Sequence, residues 1–169
     1  MKKEIDLKEA RLRFPVFPVV LVTVRENIIA IGLIHTFSFD PPMLGIGLHP
    51  KRHSYQLLKE IGDFGVNIPT VKLVNEVNMC GTVSGRNVNK FKESGLTQMK
   101  AKIIKSVLIE ECPVNIECKV IQELSFGGSH NWFVGEVVAA YQTDGYDKTK
   151  ALSYWDKEYR VMGDLVLKR

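Results

Sequence analysis

The sequence predicts a mainly β chain, folded as a small closed or split β-barrel into which two or three short helices are inserted. Three observations lead there. Residues 18–49 hold three successive segments that are rich in β-branched residues or alternate in polarity, with little chain between them. Residues 113–143 hold two more long alternating segments around a glycine turn. Regular βαβ alternation is absent, as are the GxGxxG and GxxxxGK[ST] fingerprints, which argues against a Rossmann or P-loop nucleotide fold.

Taken in order, PVVLVTV (18–24) reads as a strand, and residues 25–27 as a hairpin turn into ENIIAIGLIHTFSF (26–39). PMLGIGLH (42–49) is a third strand, with Leu44, Ile46 and Leu48 on one face and Gly45 and Gly47 on the other. A face of small residues suggests a close approach to the backbone, a surface left bare for something else. SYQLLKEIG (54–62) switches to helical spacing, with Ser54 as candidate N-cap and Gly62 as the stop. DFGVNIP (63–69) returns to period two, placing Asn67 opposite the apolar residues. Residues 70–81 are read as a helix capped by Thr70, residues 82–87 as a flexible loop, and residues 87–95 as a short helix or turn. Residues 113–124 alternate as a strand, FGGSH (126–130) turns, and 131–143 form a long strand that Gly135 allows to bend. The aromatic, charged tail 150–169 has no clear period.

The length fits one domain over residues 1–169, and 45% hydrophobic with 25% charged residues is a globular composition. No apolar run reaches the roughly 18 residues of a membrane span. The start, MKKEIDLKEARLRF, has no apolar core, so no signal peptide is expected. The net charge of +4 is spread among acids, which reads as a solvated surface rather than a nucleic-acid stripe. The three cysteines, Cys80, Cys112 and Cys118, are an odd set without a secretion signal, so free thiols and a cytoplasmic location are expected. No metal site is expected: His49 and His53 are four apart, but Pro50 interrupts them and no carboxylate or cysteine completes a set.

The stretch HTFSFDPPMLGIGLHPKRHS (35–54) holds polar groups at both ends of a core-like strand. Thr36 and Ser38 share parity, so in a regular strand their hydroxyls share a face and Phe37 and Phe39 point to the core. If the two strands pair as a hairpin, Lys51, Arg52, His53 and Ser54 come to lie beside residues 28–32. Two separated polar groups suit an elongated ligand with an anion at one end. Lys51, Arg52 and the helix start at Ser54 can hold a phosphate; the alternative is a capped helix preceded by solvated cations.

The order of features resembles the flavin reductase-like family, whose FMN-binding domain is a split β-barrel. The matching stretches are HTFSF, DPPMLGIGL, KRHSYQLLKEIGDFGVNIP, KFKESGLT, GGSHNWFVGEV and YRVMG, spread over residues 15–163. Bulky Phe37 and Phe39 depart from the small residues many members carry there. The resemblance implies an isoalloxazine ring along Ile34, His35, Thr36, Phe37 and Ser38. It implies an FMN phosphate held by Lys51, Arg52, His53 and Ser54, with Arg86 and Lys90 as further candidates and Asn67 within reach. His130, in a turn beside the flavin, would hydrogen-bond the ring or guide the nicotinamide, and is the one candidate catalytic residue. The alternative for His130 is a turn histidine without a chemical role.

By that resemblance the chain is an NAD(P)H-dependent flavin or ferric reductase, taking hydride from NADH or NADPH to FMN. The other reading is an FMN-containing electron carrier of flavoredoxin type, fed by a redox protein partner. A homodimer is implied as well, with the aromatic tail at the contact. A β-barrel binding single-stranded nucleic acid would interleave exposed aromatics with cations on its strands, and here the strand aromatics alternate with small or aliphatic residues.

Overall fold

The computed structural model of the protein describes residues 1–168. A short helix α1 (Leu7–Ala10), begun by Asp6 accepting from the Lys8 and Glu9 N–H groups, leads into the barrel. Strands β1 (Phe17–Pro18), β2 (Val20–Val24), β3 (Asn27–Ile31), β4 (Ile34–Phe39) and β5 (Pro42–Leu48) follow. Helix α2 (His53–Ile61) and strand β6 (Asp63–Ile68) come next, then helices α3 (Val74–Thr82) and α4 (Lys90–Ser94). The second half supplies β7 (Gln98–Met99), β8 (Leu108–Ile109), the long β9 (Val114–Leu124) and β10 (Asn131–Gln142), and a small β11 (Ser153–Trp155) and β12 (Glu158–Arg160).

Seven strands form one curled antiparallel sheet in the order β3-β2-β6-β9-β10-β5-β4. Its two edge strands, β3 and β4, are consecutive in sequence and joined only by Gly32 and Leu33. A sheet curled until its edges nearly meet is the split barrel anticipated above. The continuous strand expected over 26–39 is broken at this joint. Among the described residues, no helix is long and apolar enough to cross a membrane.

The alternation read from the sequence fills the inside. Val20, Val22, Val24, Ile46, Leu48, Leu58, Phe64, Val66, Cys118 and Phe133 form one buried cluster. Gly62 ends α2 in the left-handed conformation (φ 71°), where a side chain would be strained. A register shift falls opposite Val134 and Gly135, but the extra residue is Ile121 on β9, so the bulge there belongs to β9 rather than to β10. A Cβ at Gly135 would lie 2.7 Å from Phe64 Cε1 and 3.0 Å from Cys118 Cβ, both fully buried. Gly135→Ala is therefore expected to cost about 1–3 kcal/mol by overpacking, read as a lower urea midpoint with an unchanged slope.

Three local expectations are corrected. Ser54 does not cap α2: its hydroxyl, 1% exposed, accepts from Asn27 Nδ2 at 2.7 Å and ties the helix to β3. The N-cap position is Arg52, which makes no side-chain cap bond. Thr70 likewise caps nothing with its side chain; a 3-10 turn (Val71–Leu73) precedes α3. Finally, Phe37 and Phe39 do not enter the core, being 45% and 91% exposed.

The loop between β7 and β8 is held by two buried carboxylates that sequence reasoning passed over. Glu117, fully buried, accepts from the N–H groups of Lys102, Ile103 and Ile104 and from the Tyr141 hydroxyl. Asp63 accepts from the next two, Lys105 and Ser106. Burial pushes the Glu117 carboxyl up, and these hydrogen bonds outweigh it, so its pKa lies below the ordinary value.

Candidate functional site

A cleft of about 480 Å³ opens where β3, the segment before α2, the end of α3 and the β9–β10 turn converge. Its walls carry His49, Lys51, Arg52, His53, Arg86, Lys90 and His130, with Ile29, Cys80 and Gly81 beneath. A smaller cavity of about 120 Å³ adjoins it, sharing Ile29, His49, Arg52, Gly81 and His130. That extension runs along Ala30 to Leu33 and is closed by Gly47 and Leu48. One end of the cleft is thus cationic, and the other is lined by aliphatic residues and exposed backbone.

Backbone contacts hold the cationic end in shape. Arg86 donates through Nη1 to the Lys51 carbonyl at 3.0 Å, latching the 84–87 turn onto the segment before α2. Within that segment Arg52 N–H donates to the His49 carbonyl, and Lys51 N–H donates to His49 Nδ1 at 3.1 Å. When neutral, His49 therefore carries its proton on Nε2. The nine-residue helix α2 begins here, and no side chain caps it. Its first-turn N–H groups and the positive end of its dipole add to the four cations. Gly85 allows a close approach, since a Cβ there would collide with the Asn27 side chain, which is tied to Ser54.

Lys90 is the unusual member, only 4% exposed. Its ammonium donates to the Cys80 carbonyl at 2.6 Å, in the last turn of α3, where a cation is favourable. Burial lowers its pKa; Cys80 opposes that shift, and nearby Arg52 adds to it. His53 is held below the ordinary histidine value by burial and by Arg86 and Lys90, against Glu60. His130 is lowered by burial, His49 and Arg52. Its Nδ1 lies 2.9 Å from Ser129 Oγ, and its ring meets that of His49 edge-on at 5.6 Å between centroids. Burial pushes the Cys80 thiol up to about 11, so it is not poised as a thiolate.

Comparison with known proteins bears on this arrangement. Residues 13–163 match the family described as the flavin reductase like domain. The chain belongs to that family. A relative from Archaeoglobus fulgidus is 34% identical over 126 residues, covering 75% of this chain and 71% of its own. Flavoredoxin from Methanosarcina acetivorans superposes with a TM-score of 0.89 at 28% identity, covering 99% and 95% of the two chains. An FMN-binding protein from Thermus thermophilus shares the fold at 23% identity, with a TM-score of 0.88 and full coverage of both chains.

In this flavin reductase-like chain the cluster read from KRHS does lie beside β3, as the hairpin argument required. Lys51, Arg52 and His53 come together with Arg86, Lys90 and His130 around one cleft. Ser54 lies among neither cavity's wall residues and is bonded to Asn27 instead. Asn67 does not join them. It is fully buried; its amide donates to the Leu21 carbonyl and Thr23, and accepts from Ile109 N–H and Asn115. An asparagine opposite an apolar face has both options, and here the core used it.

The residues expected to lie along the ring are arranged differently from a regular strand. Ile34, His35, Thr36, Phe37 and Ser38 lie on the edge strand β4, beyond the aliphatic-lined end of the cleft rather than among its wall residues. A bulge between Thr36 and Ser38 pairs Thr36 with Leu44 but Ser38 with Met43. Adjacent partners on β5 face opposite ways, so the two hydroxyls do not share a face. The bulge also explains Phe37: its ring lies over Gly45 and 5.6 Å from that of Trp132. Leu33 covers Gly47 in the same manner. The glycine face is therefore not bare; two side chains of the chain itself fill it.

His49, Gly32 and Leu33 were passed over as site residues. His49 borders both cavities, and its signal was its place directly before the basic cluster. Gly32 and Leu33 gave no chemical signal; they enter because the barrel's edges meet there. Among the described residues no cluster of histidine, cysteine or carboxylate side chains is placed to hold a metal ion.

Proposed function

We propose that this flavin reductase-like chain binds FMN in the cleft and serves as an NAD(P)H-dependent flavin or ferric reductase. The observation that carries the reading is the distribution of charge in the cleft: four cations and an uncapped helix start gather at one end, and an extension lined by aliphatic residues and exposed backbone lies at the other. That donor set fits a phosphate monoester, which charge-assisted N–H donors and a helix N-terminus hold best. Lys51, Arg52, Arg86 and Lys90 are the phosphate residues, with His53 at their side. Gly32, Leu33 and the 34–38 edge take the ring end, where Phe37 and Leu33 offer apolar surface.

Bound FMN supplies acceptance of a hydride from NADH or NADPH and release of the electrons to an acceptor. The chain's own part is to bind, orient and shield. Lys90, held by the Cys80 carbonyl, offers a fixed charge rather than a mobile one. His130, largely neutral at pH 7 by its lowered pKa, has Nδ1 engaged by Ser129, and its Nε2 makes no hydrogen bond among the described residues. On this reading His130 is the residue that meets the ring edge or a nicotinamide. Pairing of two copies belongs to the same reading; exposed Phe39 and Leu165 to Leu167 are apolar surface that such a pair would cover.

The second reading, an electron carrier fed by a protein partner, is favoured by the likeness to flavoredoxin over nearly the whole chain. One experiment separates these readings from each other and from neither. Purified protein supplied with FMN is expected to turn yellow, with the absorbance bands of oxidised flavin. Anaerobic mixing with NADH and with NADPH is then expected to bleach those bands with at least one of them. Yellow protein that neither nucleotide bleaches is a carrier, and colourless protein that takes up no FMN defeats both readings.

A further inference from the structure

His130 reaches the cleft from a turn that does little to hold it. Residues 125–130, SFGGSH, join β9 to β10 through Gly127 in the left-handed region (φ 74°), with Phe126 exposed. Among the described residues this turn makes no loop backbone hydrogen bond, and its one side-chain bond, between Ser129 and His130, is internal to it. A side chain on such a turn is placed by the turn's two legs.

Both legs are tied to α2 by one polar cluster. Tyr55, in the first turn of α2, donates through its hydroxyl to Glu123 Oε1, one residue before the end of β9. Asn131, the first residue of β10, donates through Nδ2 to the same hydroxyl at 2.9 Å and to Glu123 Oε1 at 2.8 Å. Lys59, one turn further along α2, lies 3.6 Å from Glu123 Oε2 and 5.9 Å from the centre of the Tyr55 ring. That ring is buried and meets Phe133 edge-on at 5.2 Å. The bond between Tyr55 and Glu123 is the largest cause both of the lowered Glu123 pKa and of the raised Tyr55 pKa, so at neutral pH Tyr55 is the donor and Glu123 the charged acceptor.

The cluster closes a circuit through the wall of the cleft. Tyr55 N–H donates to the Arg52 carbonyl at 3.1 Å, and Arg52 N–H donates to the His49 carbonyl at 2.9 Å. The His49 ring then meets the His130 ring, and His130 is bonded in the chain to Asn131. Burial, His49 and Arg52 together hold the His130 pKa down, so its titration reports how close the turn lies to the segment before α2.

We propose that Tyr55, Glu123 and Asn131 are positioning residues for His130, pinning both legs of the turn to α2 and fixing the imidazole where the cationic end of the cleft meets its extension. The role this gives them in hydride transfer rests on the flavin reading of the cleft; the placement of the imidazole does not. Without the clamp the turn keeps its strand ladder but loses its tie to α2, and His130 moves away from His49 and Arg52 into water.

The test follows His130 by NMR through a pH titration of the whole protein, its signal assigned by its loss in His130→Gln. Tyr55→Phe, Glu123→Ala and Glu123→Gln are compared with wild type and with Tyr141→Phe. The last is a matched control, because it removes another hydroxyl–carboxylate bond, to Glu117, at the far end of β10. Tyr55→Phe and Glu123→Ala are expected to raise the His130 midpoint toward the ordinary histidine value, since burial and charge repulsion are both relieved. Glu123→Gln, whose oxygen still accepts both bonds, and Tyr141→Phe should leave it in place. In FMN-loaded protein Tyr55→Phe and Glu123→Ala should slow bleaching by the accepted nucleotide about tenfold, with the FMN dissociation constant changed by less than about twofold. A midpoint unmoved by Tyr55→Phe, or moved equally by Tyr141→Phe, overturns the proposal, the second because it marks general loosening. A midpoint that moves while bleaching keeps its wild-type rate overturns it as well. Wild-type protein that takes up no FMN, or that neither nucleotide bleaches, overturns the reductase reading and the role of His130 in it before any variant is compared.

Discussion

Replacing Lys51 and Arg52 together by alanine is expected to raise the dissociation constant for FMN about hundredfold, with little change in melting temperature. Each charge-assisted hydrogen bond to a phosphate contributes roughly 1.5–3 kcal/mol, and the loss of two is softened by Arg86 and Lys90, which remain. Folding should be spared because neither side chain is part of the core, and because the latch from Arg86 engages the Lys51 carbonyl, which alanine keeps. Fluorescence titration with FMN, set beside thermal melts of the same preparations, gives both quantities. Unchanged FMN affinity would remove the phosphate assignment.

The largest effect on stability is expected at Glu117. Glu117→Ala leaves three loop N–H groups and the Tyr141 hydroxyl without their acceptor in a buried place. The cost should be about 3–5 kcal/mol, which for a chain of this size lowers the melting temperature by roughly 10 °C. Glu117→Gln should lie between, since its oxygen still accepts while its NH₂ faces other donors. The pH dependence has a definite sign. The folded pKa lies below the unfolded one, so this stabilisation is fully present above the ordinary carboxylate value and is lost as pH falls through the folded pKa. Acid unfolding followed by circular dichroism should therefore steepen below about pH 4.5 in the wild type. In Glu117→Gln that segment of the curve should be flatter, and an equal slope in both proteins would dismiss the carboxylate as the cause.

Much of the barrel was legible because burial on one face writes period two into the chain. Residues 18–24, 42–49, 63–69, 113–124 and 131–143 all became strands close to their expected bounds. The cationic end of the cleft was legible too, since Lys51, Arg52 and His53 are contiguous and a following helix fixes where they go. The β4 bulge was not, because one extra residue in a strand leaves no mark on composition, yet it reversed the faces of everything beyond Thr36. Asn67, Ser54 and Glu117 were hard for a related reason. A polar residue in an alternating strand or at a helix start looks the same whether it meets a ligand or a neighbouring backbone, and only the third dimension supplies the partner.

The two-residue joint at Gly32 and Leu33 carries a consequence for how this barrel could be altered. It is the covalent tie across the seam, and the Leu33 carbonyl also accepts from Gly47 N–H at 2.7 Å. The width of the slot is therefore written in chain length rather than in side-chain chemistry. One inserted residue there would advance β4 by about 3.3 Å and exchange its inner and outer faces. Two would restore the faces at a wider setting, so insertion in pairs offers a ruler for the size of whatever the slot admits.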